Sequence, residues 1–283
     1  MTHEENERLL TMLSEYLCFT PCAIAQEEVQ ALQSECGGDA TTAYLALLCA
    51  KLGLDMDKEA DRRLYRQVLP KTVQRCDAAT YEADAYLHRI GRVSGACGAV
   101  TLVQEEIQPM ELFVRDDFVR DETGVYPQLG WFDRKFTFPA VKEENRVWMT
   151  VTPNEINTIQ PCVRESTGRV LTFGLGLGYY AFHCLLKEDV TSVTVVERNP
   201  EVIAVFRKLL LPHFPRPECL HIIEADAFAY AQEHLGEYDT VFTDLWHDVA
   251  DGIELYLRMK GMEVEGPKYL YWIEKTLRCY LTD

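Results

Sequence analysis

The run Val170-Leu171-Thr172-Phe173-Gly174-Leu175-Gly176-Leu177-Gly178 constrains this chain more than any other segment. An apolar strand enters a GxGxG loop, and the loop opens into a helical stretch, YYAFHCLLK. Glycine is needed where a backbone turns sharply and must pass close to a ligand with no Cβ in the way. Beyond it the chain continues as SVTVVE, PEVIAVFRKLL, CLHIIEAD, AFAYAQEHL and YDTVFTD, strand alternating with helix. That alternation predicts an α/β, Rossmann-like, mostly parallel sheet covered by helices. Right-handed crossovers bring the carboxyl ends of such strands to one edge, where open α/β sheets bind ligands.

The segments before it divide by hydrophobic period. Over residues 1–99 apolar residues recur at three and four, as in Leu9, Leu10, Leu13 and Leu17 and again in Tyr44, Leu45, Leu47 and Leu48, which predicts a helical N-terminal domain. Residues 100–151 carry short runs such as ELFVRD, WFDRKFTF and RVWMTV between Pro and Gly, the pattern of a β-rich connector. Thr152-Pro153-Asn154-Glu155 then suits a helix start, so residues 152–283 form the expected nucleotide-binding domain.

Composition narrows the function classes. Lys and Arg total 28 against 45 Asp and Glu, a formal charge of −17, so no broad electrostatic grip on nucleic acid is expected. The N-terminus lacks the basic and apolar regions of a signal peptide, and no stretch approaches the ~18 apolar residues of a membrane span. Ten cysteines are scattered without CxxC spacing, Cys18 and Cys22 forming only a CxxxC, as in a reducing compartment. A soluble cytoplasmic protein without a membrane partner is the expectation. His183, His213, His221 and His234 show no metal-like spacing, and no metal site is expected.

An acid ends each of the next three strands: Glu197 after SVTVV, Asp226 after HIIEA and Asp244 after DTVFT. A carboxylate at the end of the second strand can accept both hydroxyl protons of a ribose, Asp226 would lie beside an adenine, and Asp244 would face the reacting end of the ligand. Asp226 before AFAYA is also a good helix cap in its own right. A nicotinamide dinucleotide is an alternative ligand, because Gly176, Gly178 and Ala181 satisfy GxGxxA with Glu197 downstream.

In motif order, residues of roughly 145 to 250 resemble the class I S-adenosyl-L-methionine (SAM)-dependent methyltransferases, and within that superfamily the spermidine synthase-like branch. VTVVERNPEVIAVFRKLLLPHFP resembles that branch's second strand and following helix, EADAFAY its third-strand motif, and Thr172 its neutral residue before the loop. The resemblance implies SAM as cofactor, held by Gly174, Gly176, Gly178, Glu197, Asp226, Ala227 and Asp244. The chain departs from the branch at Asp244-Leu245-Trp246-His247-Asp248, where His247 replaces the second acid, and it lacks the Tyr-Gln pair before the glycine strand.

Methyl transfer to an unidentified small molecule, an amine among the candidates, is therefore the expected reaction. Asp244 would orient the acceptor and His247 take a proton as the catalytic pair. Trp246 would wall the sulfonium by cation–π attraction or serve simply as a packed aromatic. Asn154 and Glu155 either reach the methionine end of SAM or cap their helix. The alternatives are aminopropyl transfer and a non-catalytic SAM or NAD binder. DVADGIELYLRMKG and GPKYLYWIEKTLRCYL both read as helices, so the superfamily's last strands are expected to be missing. The bare edge would then be covered by strands of 100–150 or by a second subunit in a homo-oligomer.

Overall fold

The computed structural model describes residues 2–122, 124–143 and 146–281, without the side chains of Glu143 and Trp148. Helices α1 (His3–Phe19), α2 (Gln26–Cys36), α3 (Ala40–Lys51) and α4 (Glu59–Arg63) open it, and a π-helical turn at Leu64–Val68 leads into α5 (Leu69–Thr72). There follow β1 (Val73–Arg75), α6 (Ala78–Glu82), α7 (Ala85–Ile90), β2 (Gly95–Cys97), β3 (Val100–Ile107), β4 (Phe113–Asp121), β5 (Gly124–Trp131), β6 (Phe136–Glu143) and β7 (Arg146–Thr150). From α8 (Pro153–Glu165) the order is β8 (Gly168–Phe173), α9 (Tyr179–Leu186), β9 (Val190–Glu197), α10 (Pro200–Val205), β10 (Leu220–Glu224) and α11 (Ala227–His234). The last elements are β11 (Thr240–Thr243), α12 (Val249–Lys260), β12 (Lys268–Tyr271) and α13 (Glu274–Tyr280). Among the described residues no helix is long and apolar enough to cross a membrane.

The chain forms two compact units, one of residues 1–81 and 106–137, the other of 82–105 and 138–283. These limits differ from the expected boundaries at 99/100 and 151/152. The change of hydrophobic period marks where strands begin, but β3 and β6 each straddle a limit between units. Period reports local geometry; burial decides which elements belong together.

In the first unit a capping box starts α1, with the Thr2 amide donating to Glu5 Oε2 (2.9 Å) and the Glu5 amide to Thr2 Oγ1 (3.1 Å). Leu9, Leu13 and Tyr16 then fall on one buried face. Tyr44 of α3 stacks on Trp131 of β5 at 4.5 Å and donates its hydroxyl to the Met110 carbonyl, at the centre of this unit's core. Its sheet has the order β1-β5-β4.

The second unit is built on a five-stranded sheet in the order β10-β9-β8-β11-β12, every pairing parallel. Val170, Leu171, Thr172 and Phe173 of β8 are all buried, as a central parallel strand with helices on both faces requires. The chain starts in the middle of this sheet, runs outward through β9 and β10, then returns to the other side of β8. That reversal is a topological switch point, and it lies at the glycine loop.

One expectation is corrected here. GPKYLYWIEKTLRCYL is not all helix: Lys268–Tyr271 forms β12, paired with β11 from Thr240↔Lys268 to Thr243↔Tyr271, and only then does α13 begin. The edge of β11 is thus covered, and by this chain's own C-terminal residues rather than by residues 100–150 or a second subunit. A four-residue strand is too short to show a period of its own against the helical run that follows it.

Candidate functional site

Hydrogen bonds continue past the strand ends and line up five residues along the carboxyl edge of the sheet. The Ala225 amide donates to the Glu197 carbonyl (3.1 Å), Gly174 to Val196 (3.0 Å), Asp244 to Phe173 (3.0 Å) and Trp272 to Thr243 (3.0 Å). Asp226, Glu197, Gly174, Asp244 and Trp272 therefore stand in that spatial order, which is not their order in the chain. At roughly 4.8 Å per strand, the row spans about 19 Å. All five line one cavity of about 540 Å³, of the size that takes a small-molecule ligand.

The glycine loop needs its glycines for two different reasons. Gly174 has φ +95°, and a Cβ on it would lie 2.1 Å from the Asp244 carbonyl oxygen, so here the close approach is between two strand ends. Gly176 has φ +51°, but the nearest atom to a Cβ would be Met149 Sδ at 3.9 Å; the space beside it is open to the cavity. Gly178 caps α9 at φ +77°, where a Cβ would strike Phe206 and Phe214.

Glu197 is fixed through both oxygens, Oε2 accepting from the Leu175 amide (3.1 Å) and Oε1 from the Asn199 amide (2.8 Å). The carboxylate thereby ties the end of β9 to the glycine loop, and each oxygen retains a further lone pair for a ligand. Asp226 caps α11, its Oδ1 accepting from the Phe228 and Ala229 amides, while Ala227 and Phe228 form the adjoining wall. The cap and a position beside a ligand are thus both properties of one residue.

At the other end of the row Asp244 meets a group from outside the alternating strands. Glu155, at the third position of α8, accepts from the Thr152 amide (2.7 Å) and from Thr150 Oγ1 (3.1 Å) and lines the same cavity. Burial pushes the Glu155 carboxyl up to about 8 against the hydrogen bonds from Thr152 and Thr150, with the charge of Asp244 adding to the rise. Burial likewise raises Asp244 to about 7, opposed by His247. Two carboxyl groups at one end of a pocket, both raised toward neutrality, can each hold a proton there.

His247 stands at the rim, its side chain 68% exposed and its Nδ1 3.0 Å from Asp251 Oδ2 at the start of α12. Trp246 is buried, with Gly252 of α12 leaving just enough room for its ring, where a Cβ would come within 3.0 Å. Asn154 is not among the lining residues, whereas Glu155 is. Trp272, absent from the sequence reading, closes the end of the row and donates its indole N–H to Thr158 Oγ1 of α8 (2.8 Å). The next residue, Ile273, has φ +46° and ψ +31°, a left-handed conformation uncommon for a β-branched side chain, directly beside the pocket. Met149 and Thr150 of β7 also line the cavity, and a contribution from a hairpin leaves no spacing signal in the sequence.

Strand order, glycine loop and pocket together define a doubly wound, Rossmann-like α/β fold. No family model and no curated protein matches the chain. Among solved structures it is similar to spermidine synthase from Thermotoga maritima (17% identity, TM-score 0.34, covering 62% of this chain and 53% of that one). It is also similar to precorrin 8w decarboxylase from Methanobacterium thermoautotrophicum (19%, 0.32, 43% and 63%). A third likeness is to the glycopeptide N-methyltransferase MtfA complexed with SAM (23%, 0.30, 40% and 51%). The chain spans between half and two thirds of the length of these structures.

Proposed function

We propose that this protein is a SAM-dependent transferase that moves a methyl group to an amine of a small molecule. The single observation behind this reading is the row Asp226, Glu197, Gly174, Asp244 along one cavity, with Glu155 facing its far end. An adenosyl ligand fits the groups present: Phe228 and Asp226 suit an adenine, the remaining lone pairs of Glu197 suit the ribose hydroxyls, and the open space at Gly176 admits the chain that follows. When bound, SAM supplies a sulfonium-activated carbon open to displacement by an acceptor's lone pair.

The chain's own residues do the rest. Asp244, ionised above about pH 7, orients the acceptor nitrogen and takes the proton it gives up, beside a Glu155 that keeps its own proton up to about 8. Trp272 and Ile159 exclude water from that end, and alignment of the nucleophile is the main demand of such a displacement. His247, tied to Asp251 at the rim, is better placed to pass the proton to solvent than to take it first.

A second reading, aminopropyl transfer from decarboxylated SAM, is favoured by one observation. Among the described lining residues the basic side chains are Arg198, beside Glu197, and His247 at the rim, so a donor carboxylate near Glu155 and Asp244 would meet two acidic groups and no Lys or Arg to hold it. Calorimetric titration with SAM and with decarboxylated SAM separates the two readings by which donor binds. Tight binding of NAD with no affinity for either donor would refute both.

A further inference from the structure

Residues 82–105 precede every recognisable motif of the fold, yet they pack in the same compact unit as the glycine loop. Tyr86 of α7 is fully buried and donates its hydroxyl to the Leu177 carbonyl, inside the loop, at 2.7 Å. Its ring meets Tyr179 and Phe182 of α9 edge-on at 5.4 and 5.3 Å. Two residues earlier, Asp84 starts α7 by accepting from the Tyr86 and Leu87 amides through Oδ1. The same carboxylate accepts from the Tyr179 hydroxyl (2.9 Å) and lies 3.2 Å from His183 Nε2. Gln160 of α8 completes the cluster by donating to the Tyr179 hydroxyl at 2.8 Å.

Both Leu177 and Tyr179 line the cavity. The loop itself runs through three left-handed glycines, a backbone with little intrinsic preference for one conformation. Burial opposes the charge of Asp84, but its hydrogen bonds from His183, Tyr179 and Leu87 outweigh that and hold its carboxyl below the usual range. A largely enclosed, charged carboxylate with this many partners is an expensive way to start a six-residue helix and is better accounted for by what it holds.

We infer that Asp84 and Tyr86 are positioning residues for the cofactor loop: Tyr86 fixes the Leu177 carbonyl and Asp84 fixes the first turn of α9, so the loop is preorganised before a ligand arrives. This rests on reading the loop as the cofactor site. Preorganisation raises affinity by removing ordering from the cost of binding.

The test uses the full chain with Tyr86→Phe, which keeps the ring and removes only the hydroxyl, and with Asp84→Asn, which keeps a capping side chain. SAM and decarboxylated SAM are titrated calorimetrically well below the melting midpoint, and amide exchange of residues 174–179 is followed without ligand. The expected result is about a fivefold or larger rise in Kd, as loss of one hydrogen bond implies, together with faster exchange confined to the loop. A merely structural role would lower the melting midpoint and leave Kd and loop exchange unchanged, which would overturn the inference. If Tyr86→Phe does not fold, Asp84→Asn carries the test. If the wild-type protein binds neither donor, the site reading fails on its own, and the exchange of the loop still decides whether these residues position it.

Discussion

Replacing Glu155 by Gln tests the proton-holding pair directly. Gln keeps an oxygen for the Thr152 amide and is an accepted third residue of a capping box, so α8 retains its start. What disappears is a titration. The folded chain holds a proton on Glu155 up to about pH 8, whereas the unfolded chain releases it near the ordinary 4.5. Between those values the unfolded state has ionised and the native state has not, so stability falls as pH rises, by about 1.4 kcal/mol per pH unit, and levels off above the folded value. From about pH 6 to about pH 9 this one group costs the wild type up to roughly 3 kcal/mol, less to the extent that the cavity admits water. Asp244 adds a smaller loss that ends near 7 and is common to both proteins. The stability of Glu155→Gln relative to wild type should therefore rise by about 1 to 3 kcal/mol between the two pH values. Thermal denaturation at each pH reads this as a change of roughly 3 to 10 °C in the gap between the two melting midpoints. A gap that stays the same at both pH values would show that Glu155 is already ionised at pH 6, and the proton-holding role would fall.

Further substitutions separate the parts of the site. Glu197→Ala should weaken SAM binding by at least about 1 kcal/mol through lost charge-assisted hydrogen bonds; unchanged affinity in calorimetry would remove the ribose assignment. Gly174→Ala drives a Cβ into the Asp244 carbonyl and should destabilise the fold by several kcal/mol, seen as a sharply lower melting midpoint or no soluble protein. Gly176→Ala meets no protein atom within 3.4 Å and should cost only about 1 kcal/mol in stability while reducing donor affinity at least tenfold; full affinity would place the ligand elsewhere. Trp272→Phe, which loses the hydrogen bond to Thr158, should affect acceptor-dependent turnover more than donor Kd, and the reverse split would move Trp272 to the donor end.

The core of the fold was legible because its signals are local. Each strand from β8 to β11 is a short run rich in apolar and β-branched residues that ends at a glycine or an acid, and each helix between them has its own start, so composition and punctuation agree with the packing. β12 was not legible: its four residues run from exposed Lys268 to buried Tyr271 without alternating, and only two residues separate them from α13. The membership of residues 82–105 was hidden for a different reason. Asp84 and Tyr86 sit in an ordinary helix start, and what distinguishes them is hydrogen bonds spanning more than 90 residues of chain.

The site shows the same division between local and non-local information. Glu197, Asp226 and Asp244 can be picked out because each ends a strand, yet their sequence order says nothing of which is next to which. Only the strand order β10-β9-β8-β11-β12 turns the list into an axis from Asp226 to Trp272, which the proposed function reads as running from a nucleoside end to a reacting end. Once that axis exists, the choice of proton acceptor follows from geometry rather than residue type. Histidine is the usual group for the task near pH 7, but His247 lies at the rim, and burial has brought two carboxyls into the same range deeper in the cavity. Between reaching the methionine end of SAM and capping its helix, Glu155 stayed open in the sequence, because a glutamate three residues into a helix already has a sufficient local explanation as a cap. Its place in the cavity comes from the hairpin strand β7 and the end of β11 converging on α8, a meeting that no spacing in the chain announces.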